Sequence, residues 1–322
     1  MLSGWIILDK PVGMGSTNCV GWVKRALREA GEAKTRVGHG GTLDPLASGV
    51  LPIALGEATK LAGRMLDATK AYDFTIRFGA ETDTLDGEGQ VTKTSDVRPT
   101  LAEIEAILPQ FTGEIEQIPP AYSALKIDGK AAYARARAGE QLEMKPRSVT
   151  VHELQVEIDP HPDLHPLAGE GGTAAKPSPA RGRGLGEGLS SVTFCATVSK
   201  GTYIRSLARD IARALGTVGH VNMLRRTRAG PFTLDQAISL DFLSQAAKAR
   251  QFDGAVRPLT AALDDIPALP VTPDQAQLLR HGQKLIGFPE RPGLQLATVG
   301  ETPVALVEAT ADGLAVVRGF NL

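Results

Sequence analysis

A glycine-rich stretch with a single acidic residue constrains the fold more than any other part of the sequence. It covers residues 37–53 and reads VGHGGTLDPLASGVLPI. Burial of the Asp44 carboxylate among these small and apolar residues is unfavourable unless another group pairs with it. Pro45 disfavours helix at Asp44, and the glycines allow positive φ and the close approach of another group. The stretch therefore predicts an irregular loop that leads into an apolar run.

Three polar side chains on this loop could carry chemistry, and they belong to His39, Thr42 and Asp44. Loops on a rigid scaffold often carry function, although a glycine-rich turn whose aspartate caps a helix fits the same residues. Two phosphate-binding motifs are excluded. A P-loop would end in Gly-Lys-Ser or Gly-Lys-Thr, and a dinucleotide fingerprint would have glycine in place of Leu43. Asp44 is the reactive feature that remains.

The composition is that of a globular protein. A chain of 322 residues is long enough to bury a sizeable core in one large domain or two. No apolar run could span a membrane, and the N-terminal residues lack the charged and apolar regions of a signal peptide. Cys19 and Cys195 match no zinc or redox spacing and are expected to be small core residues in a reducing compartment. We therefore expect a cytoplasmic protein without a metal site.

Basic residues are concentrated in one segment, although the net charge of the whole chain is only −1. Between residues 200 and 230, Asp210 is the only acid. The cations of this segment are Lys200, Arg205, Arg209, Arg213, Arg225, Arg226 and Arg228. A local basic face on a nearly neutral protein suits binding to a phosphate backbone, and the alternative is an ordinary solvated face. We expect Arg225 and Arg226, on a predicted strand, each to contact phosphate.

Arg205 stands near the start of a helix predicted over residues 203–215, which has a regular apolar stripe and ends at Gly216. A cation is poorly placed at the positive end of a helix dipole unless a carboxylate or phosphate meets it. Arg205 is therefore expected to have an anionic partner.

An earlier helix is predicted to begin with Ser16 or Thr17 as its cap and to end at Gly31. Lys24, Arg25 and Arg28 lie off its apolar face. A basic loop at residues 34–36 then leads into the glycine-rich stretch.

Residues 70–78 alternate as a strand that places Tyr72 on the same face as Phe74. The acidic run that follows predicts a solvated hairpin connection, because it lacks the length and the terminal glutamate of a calcium-binding EF-hand loop. This run consists of Glu81, Asp83, Asp86 and Glu88.

Residues 119–147 predict a basic arm. Lys126 and Lys130 are among its cations, and the arm also contains Tyr122 and Tyr133. Basic groups interleaved with aromatic rings suit single-stranded or looped RNA. A surface helix over residues 131–138 is the alternative.

Two further segments define the domain organisation. Residues 159–188 are rich in Pro, Gly and Ala, so we expect a disordered or long mobile insert. His161 and His165 in this insert lack the partners of a zinc site. Residues 1–255 are expected to form the main domain, 256–271 a linker and 272–322 a small β-rich domain that packs on the main one.

The order of five sequence blocks resembles that of the TruB family, bacterial synthases that form pseudouridine at position 55 of tRNA. The blocks are GWIILDKPVGMGS at 4–16, GHGGTLDPLASGVLPIALGEATKL at 38–61, KAYDF at 70–74, IPPAYSALK at 118–126 with Gly129 and Lys130, and SKGTYIR at 199–205, and residues 224–226 add to them. The resemblance implies an α+β fold in which a mixed, largely antiparallel sheet with flanking helices carries the site. It also implies a C-terminal domain similar to PUA-type RNA-binding domains. The insert at 159–188 departs from the family pattern.

The resemblance also implies roles for individual residues. Asp44 matches the catalytic aspartate, Arg205 the arginine that pairs with it and Tyr72 the tyrosine beside the base. His39 matches the histidine that helps to hold the RNA loop open. Further substrate-binding or RNA-binding positions are matched by Lys60, Tyr203, Leu224, Lys126, Lys130, Arg225 and Arg226. The partner would be the T-arm stem-loop of tRNA, with no cofactor and no obligate protein partner.

The implied reaction breaks the C–N glycosidic bond of a uridine and forms a C–C bond. The uracil must be flipped out of its stack. The carboxylate could then attack the sugar, stabilise an oxocarbenium-like sugar or take up a proton, and the sequence leaves these paths open. A non-catalytic RNA-binding or RNA-folding protein is the competing function, and a nucleoside hydrolase is the third.

Overall fold

The computed structural model describes residues 2–32, 34–123, 125–127, 129–140, 142–157, 188–287 and 292–322. Its strands are β1 (Gly4–Lys10), β2 (Val37–His39), β3 (Ser48–Leu55), β4 (Lys70–Phe78), β5 (Ala80–Thr82), β6 (Val91–Thr94), β7 (Gly113–Gln117), β8 (Lys126–Ile127), β9 (Lys130–Ala131), β10 (Arg147–Val156), β11 (Ser191–Val198), β12 (Gly219–Ala229), β13 (Phe232–Thr233), β14 (Ala268–Pro270), β15 (Gly293–Val299), β16 (Thr302–Thr310) and β17 (Gly313–Gly319). Its α-helices are α1 (Ser16–Glu29), α2 (Ala62–Asp67), α3 (Leu101–Ile107), α4 (Ala132–Arg137), α5 (Ile204–Ala214), α6 (Leu240–Ala249) and α7 (Pro273–Arg280). Short 3-10 helices cover Gly56–Leu61, Leu108–Phe111, Leu234–Gln236 and Leu259–Ala262.

A nine-stranded sheet carries the candidate site. Its strands follow the order β1-β3-β12-β4-β11-β10-β7, with β2 paired to β3 and β13 paired to β12. The pairing of β12 with β3 is parallel, and the other pairings described for this sheet are antiparallel. The predicted α+β fold with a mixed, largely antiparallel sheet is therefore confirmed.

The alternation of β4 sets which side chains face the core. Phe74 is fully buried and stacks on Phe194 of β11 with ring centroids 5.3 Å apart. Tyr72 shares that face, because side chains two residues apart point to the same side of a strand. Helix α5 packs on the sheet through the predicted stripe that includes Ile204, Leu207 and Ile211, all of them buried. The sheet and α5 thus enclose the core next to Tyr72.

Helix α1 forms where the sequence predicts it but is capped differently. Its N-cap residue is Gly15, which has no side chain to cap with, and the helix begins at Ser16. The hydroxyl of Ser16 instead bonds to the backbone of Leu43, in the loop that carries Asp44. The predicted cap by Ser16 or Thr17 is therefore wrong, because a long-range contact takes the hydroxyl of the first helical residue.

A four-stranded sheet near the C-terminus has the order β14-β15-β16-β17. Strand β14 lies within the segment expected to be a linker and pairs in parallel with β15. In the same segment Leu259 is buried, and its carbonyl accepts from Trp5 Nε1 at 3.2 Å. An apolar cluster that includes Trp5 and Phe320 joins the two sheets. The domain boundaries at residues 255 and 271 remain predictions.

Residues 159–187 of the low-complexity insert, with His161 and His165, lie outside the described residues. None of the helices in the described ranges is both long enough and apolar enough to cross a membrane.

Candidate active site

A cleft of about 280 Å³ opens beside Asp44. Its walls come from the loop of residues 41–44, from β4 and β12 of the large sheet, and from the start of α5. Six of the predicted site residues line it, namely Asp44, Tyr72, Tyr203, Arg205, Leu224 and Arg226. Residues more than 150 positions apart in the sequence therefore meet at one cavity.

The guanidinium of Arg205 lies between two carboxylates. Its Nη2 is 2.8 Å from Asp44 Oδ2 and its Nη1 is 3.2 Å from Asp86 Oδ2. The same nitrogens donate to the carbonyls of Thr84 at 2.8 Å and Tyr122 at 2.9 Å. The expectation that Arg205 has an anionic partner is confirmed. Since the Asp44 side chain is 39% exposed and the Arg205 side chain 6%, the pair presents an oriented carboxylate at the cleft surface.

Asp86 is the functional candidate that the sequence analysis missed. It is buried in the turn between β5 and β6, where its Oδ1 accepts from Thr84 Oγ1 at 2.6 Å and from the backbone of Glu88 at 3.1 Å. The expectation that this acidic run is solvated is therefore wrong for Asp86. It is also wrong for Glu81, which is buried and binds Arg213. A buried guanidinium close by makes burial of an acid tolerable, and the sequence contains no local signal of that proximity.

The loop that carries Asp44 is supported by buried polar groups from β1 and α1. Ser16 Oγ accepts from Leu43 N at 2.8 Å and donates to Leu43 O at 3.0 Å. The ammonium of Lys10 donates to Pro45 O at 3.3 Å. These bonds satisfy backbone groups that an irregular loop cannot pair internally, so the backbone on both sides of Asp44 is held in place.

Arg226 also supports the loop that carries Asp44, and its side chain is only 1% exposed. Its Nε donates to Val50 O at 2.7 Å, and its terminal nitrogens donate to Thr42 O and Gly41 O, each at 3.2 Å. A Cβ at Gly49, where φ is +97°, would lie 2.2 Å from the carbonyl oxygen of Arg226, so the loop and β12 require glycine there. The guanidinium of Arg226 is buried against carbonyls, so its predicted contact with phosphate finds no support in this geometry.

Arg225 points to the opposite face of β12 and binds Asp9 with two nitrogens, at 3.0 and 2.9 Å. A two-point pair with a carboxylate neutralises the guanidinium and fixes its direction. The predicted contact of Arg225 with phosphate therefore finds no support in this geometry.

Two other predicted residues, Lys60 and His39, do not line the cleft. Lys60 Nζ is 2.7 Å from Glu57 Oε2 and donates to Gly319 O of β17 at 2.9 Å, so it links the 3-10 helix Gly56–Leu61 to the C-terminal sheet. His39 ends β2 and accepts from Gly41 N at 3.4 Å through Nδ1. Burial lowers the pKa of His39, and the charge of Arg226 adds to this effect, so the imidazole is neutral at pH 7.

The predicted RNA arm contains two short strands, β8 and β9, that pair with each other. Lys126 and Lys130 are exposed on this pair. Their role in binding RNA remains a prediction.

Lys70 lines the cleft, although the sequence analysis gives it no role. It is buried and donates to the carbonyls of Leu66 and Ala68 at the end of α2, both at 2.5 Å. Burial lowers the pKa of Lys70 to about 8, and repulsion by Arg226 contributes. The ammonium therefore loses its proton in a pH range where an exposed lysine keeps it.

A group with metal-ligand chemistry lies on the other face of the sheet. Ligand atoms of Asp73, Glu157 and Cys195 are all within 4.8 Å of one another. Burial raises the pKa of the Cys195 thiol, and the charge of Asp73 raises it further. A protonated thiol is a poor ligand, and Asp73 faces away from Tyr72 because neighbouring side chains in a strand alternate. This group is therefore separate from the cleft.

Comparison with known proteins agrees with this geometry. Residues 25–166 match the TruB family pseudouridylate synthase N-terminal domain, and residues 205–264 match the tRNA pseudouridylate synthase B C-terminal domain. A relative from Zymomonas mobilis, named tRNA pseudouridine synthase B, is 55% identical over 320 residues, which is 99% of this chain and 96% of that protein. A relative of the same name from Novosphingobium aromaticivorans is 54% identical over 322 residues, which is 100% of this chain and 98% of that protein.

Solved structures show the same fold. A chain from an H/ACA RNP bound to a substrate RNA containing 2'-deoxyuridine is similar with a TM-score of 0.67 and 25% identity, over 99% of this chain and 85% of that one. A chain from a Cbf5-Nop10-Gar1 complex is similar with a TM-score of 0.66 and 27% identity, over 98% of this chain and 84% of that one.

The burial of Asp86 predicts the effect of removing its charge. In the Asp86→Asn variant the buried guanidinium of Arg205 loses one of its two carboxylates, so the free energy of unfolding should fall by about 3 kcal/mol. Glu88→Gln is the control, because Glu88 is exposed in the same turn and should change stability by about 0.5 kcal/mol or less. Urea unfolding of the three proteins measures this, and equal stability of Asp86→Asn and the natural protein would contradict the buried pair.

The lowered pKa of Lys70 predicts a pH dependence of stability. Between pH 8 and the ordinary lysine pKa, the unfolded chain binds more protons at this position than the folded chain, so raising the pH stabilises the fold. The unfolding free energy of the natural protein minus that of Lys70→Met should therefore increase from pH 7.5 to pH 10. Lys248→Met, at an exposed position, is the control and should give a flat difference. A flat difference for Lys70→Met as well would refute the lowered pKa.

Proposed function

Since the chain belongs to the TruB family of pseudouridylate synthases, we propose that it isomerises uridine to pseudouridine at position 55, in the T-arm loop of tRNA. The relatives that cover its whole length are named for the formation of pseudouridine in tRNA. The chain is accordingly an isomerase that acts on tRNA uridine. The pairing of Asp44 with Arg205 at the floor of a cleft is the observation that carries the proposed mechanism.

The reaction exchanges one bond of the base for another. The bond between C1' of the ribose and N1 of uracil breaks, the base turns, and C1' bonds to C5. The proton on C5 is released and N1 gains a proton, so no atom of the nucleotide is gained or lost. The isomerisation transfers no electrons to another molecule and therefore requires no redox cofactor.

The base must leave its stack before any of this can occur. A uracil stacked in a folded loop cannot reach a carboxylate at the bottom of a cleft, and flipping it out costs a few kcal/mol. Tyr72 and Leu224 give the cleft a ring and an apolar side chain against which the flipped base can lie. We assign the binding of the base to Tyr72, with Tyr203 and Leu224 completing the wall.

Asp44 is the group that we assign to the reacting sugar or base. Arg205 orients the carboxylate, and a carboxylate can act as a nucleophile or accept a proton. Asp44 is the sole carboxylate among the described residues that line this cleft. Enzymes that hydrolyse glycosidic bonds usually place two carboxylates across the bond. The second carboxylate near Arg205, Asp86, is buried outside the cleft, which favours isomerisation over hydrolysis.

The other predicted residues are assigned to binding the RNA around the flipped base. We assign to His39, which is neutral and half-buried next to the loop, the filling of the space that the flipped base leaves. Lys126 and Lys130 on the arm offer exposed charges to phosphates. We place the reaction in the cytoplasm and assign RNA binding also to the C-terminal sheet. Lys60 makes no direct contact with the RNA in this scheme, because its ammonium pairs with Glu57 and donates to the carbonyl of Gly319.

A non-catalytic RNA-binding protein is the alternative that the arm and the C-terminal sheet would also serve. In that case Asp44 would be a structural residue, and its replacement would leave function intact. The orientation of a partly exposed carboxylate by a buried arginine favours the enzyme.

The Asp44→Asn variant tests this assignment. We expect it to lose pseudouridine formation on a T-arm stem-loop by at least about a thousandfold, because an amide can neither attack nor accept the proton. Its RNA affinity should stay within about threefold. Asp210→Asn, on α5 and bonded to its neighbour Arg209, is the matched control and should keep its rate.

Release of tritium from C5 follows the reaction, and analysis of the products for free uracil tests for hydrolysis. A rate for Asp44→Asn of a tenth of normal or better would exclude the proposed role of Asp44. Free uracil as the main product would indicate a hydrolase, and equal turnover of an anticodon stem-loop would contradict the T-arm assignment.

A further inference from the structure

A second cleft, of about 590 Å³, lies between α1, the loop of residues 34–36 and the start of β2. We call it the basic cleft, because four of its lining residues are Lys24, Arg28, Lys34 and Arg36. All four side chains are exposed. Lys24 and Arg28 are four positions apart on α1 and therefore project from one face of the helix.

The cations of the basic cleft have few acidic neighbours among the described residues, and one that lies outside the cleft is Glu57, whose pKa Arg36 helps to lower. Among the described ion pairs none includes any of the four. Glu32 is the one acid among the described residues that line the cleft, and its carboxylate accepts from Thr35 Oγ1 at 3.3 Å. Four cations and one acid in a concave surface give a local positive potential that concentrates anions.

The basic segment at residues 200–230 differs in this respect. Internal partners hold most of its cations: Lys200 with Asp67, Arg205 with Asp44 and Asp86, Arg209 with Asp210, Arg213 with Glu81, Arg225 with Asp9, and Arg226 with three carbonyls. The four cations of the basic cleft occur in none of the described ion pairs, although the sequence shows a larger cluster of cations at residues 200–230.

Strand β2 connects the basic cleft to the candidate active site. Val37 and Gly38 line the cleft, the next residue is His39, and the loop to Asp44 follows. A strand advances about 3.3 Å per residue, so an extended backbone from Arg36 through β2 to His39 spans about 10 Å. That distance equals about three steps of a stacked nucleic-acid strand, at about 3.4 Å each.

We propose that the basic cleft binds the sugar-phosphate backbone of the substrate RNA about three nucleotides from the flipped uridine. This inference rests on the proposed function, because that function places a flipped nucleotide beside His39. Flipping rotates one nucleotide about its backbone. Contacts between the cations of the basic cleft and nearby phosphates would hold the rest of the strand in place while the base leaves its stack. The RNA backbone is then bound at two separate sites, the basic cleft and the arm that carries Lys126 and Lys130.

The test uses the full chain and a T-arm stem-loop as the probe. The variant Lys24→Gln with Arg28→Gln removes two charges from the cleft. The matched control, Arg25→Gln with Lys248→Gln, removes two charges from exposed positions on α1 and α6 that do not line it. Dissociation constants are measured between 0.1 and 1 M salt for each protein.

We expect the cleft variant to lower the slope of log affinity against log salt by about 1.4, since each phosphate contact to a single strand contributes about 0.7. If the affinities converge at 1 M salt, this slope makes binding about 25-fold weaker at 0.1 M salt. The control should keep the slope of the natural protein. Glu32→Gln removes the acid from the cleft and should strengthen binding at low salt.

A charge-conserving variant separates the loss of charge from a loss of structure. Lys24→Arg with Arg28→Lys should keep the natural slope, while a structural defect would weaken binding in this variant as well. An unchanged slope in the Gln variant overturns the proposal, as does an equal fall in the control. Competition by polyglutamate as strong as that by RNA of equal charge would also overturn it.

A failure of the basic-cleft proposal can be told apart from a failure of the proposed function. Pseudouridine formation by the natural protein on the T-arm stem-loop is measured beside the salt slopes. If the natural protein formed no pseudouridine at all, the proposed function would fail. The salt slopes would still report whether the basic cleft binds RNA.

Discussion

The guanidinium of Arg205 is the point at which four segments of the chain meet. It joins the loop of Asp44, the turn with Asp86, the carbonyl of Tyr122 and the first turn of α5. A buried cation is costly unless anions and carbonyls surround it, and here both are present. Asp86 is buried and fixes the arginine, while Asp44 is partly exposed and faces the cleft. The arrangement gives one carboxylate a structural role and leaves the other open to substrate.

Local signals in the sequence account for much of the fold. The apolar stripe predicts α5, the alternation of residues 70–78 predicts β4, and the Thr100 capping box that forms at α3 uses side chains only three positions apart. The expectation of an anionic partner for Arg205 also came from a local rule, the direction of the helix dipole. Each of these signals depends on residues within one or two turns of the chain.

The support of the site could not be predicted in this way. Arg226 reaches the carbonyls of residues 41, 42 and 50 because β12 pairs in parallel with β3, and Asp86 is buried because its turn packs against α5. Both depend on strand register and on contacts across more than 100 residues. Charge counts along the sequence are misleading for the same reason. The cations of residues 200–230 are largely paired internally, whereas those of the basic cleft occur in none of the ion pairs of the described residues.

A double-mutant cycle at Asp86 and Arg205 tests the central claim most directly. If Asp86 acts by positioning Arg205, Asp86→Asn should slow single-turnover pseudouridine formation in the natural protein. In an Arg205→Met background the same change should alter the rate by less than about twofold, because nothing remains to be positioned. An equal loss of rate in both backgrounds would contradict the claim that the two carboxylates are coupled through this arginine.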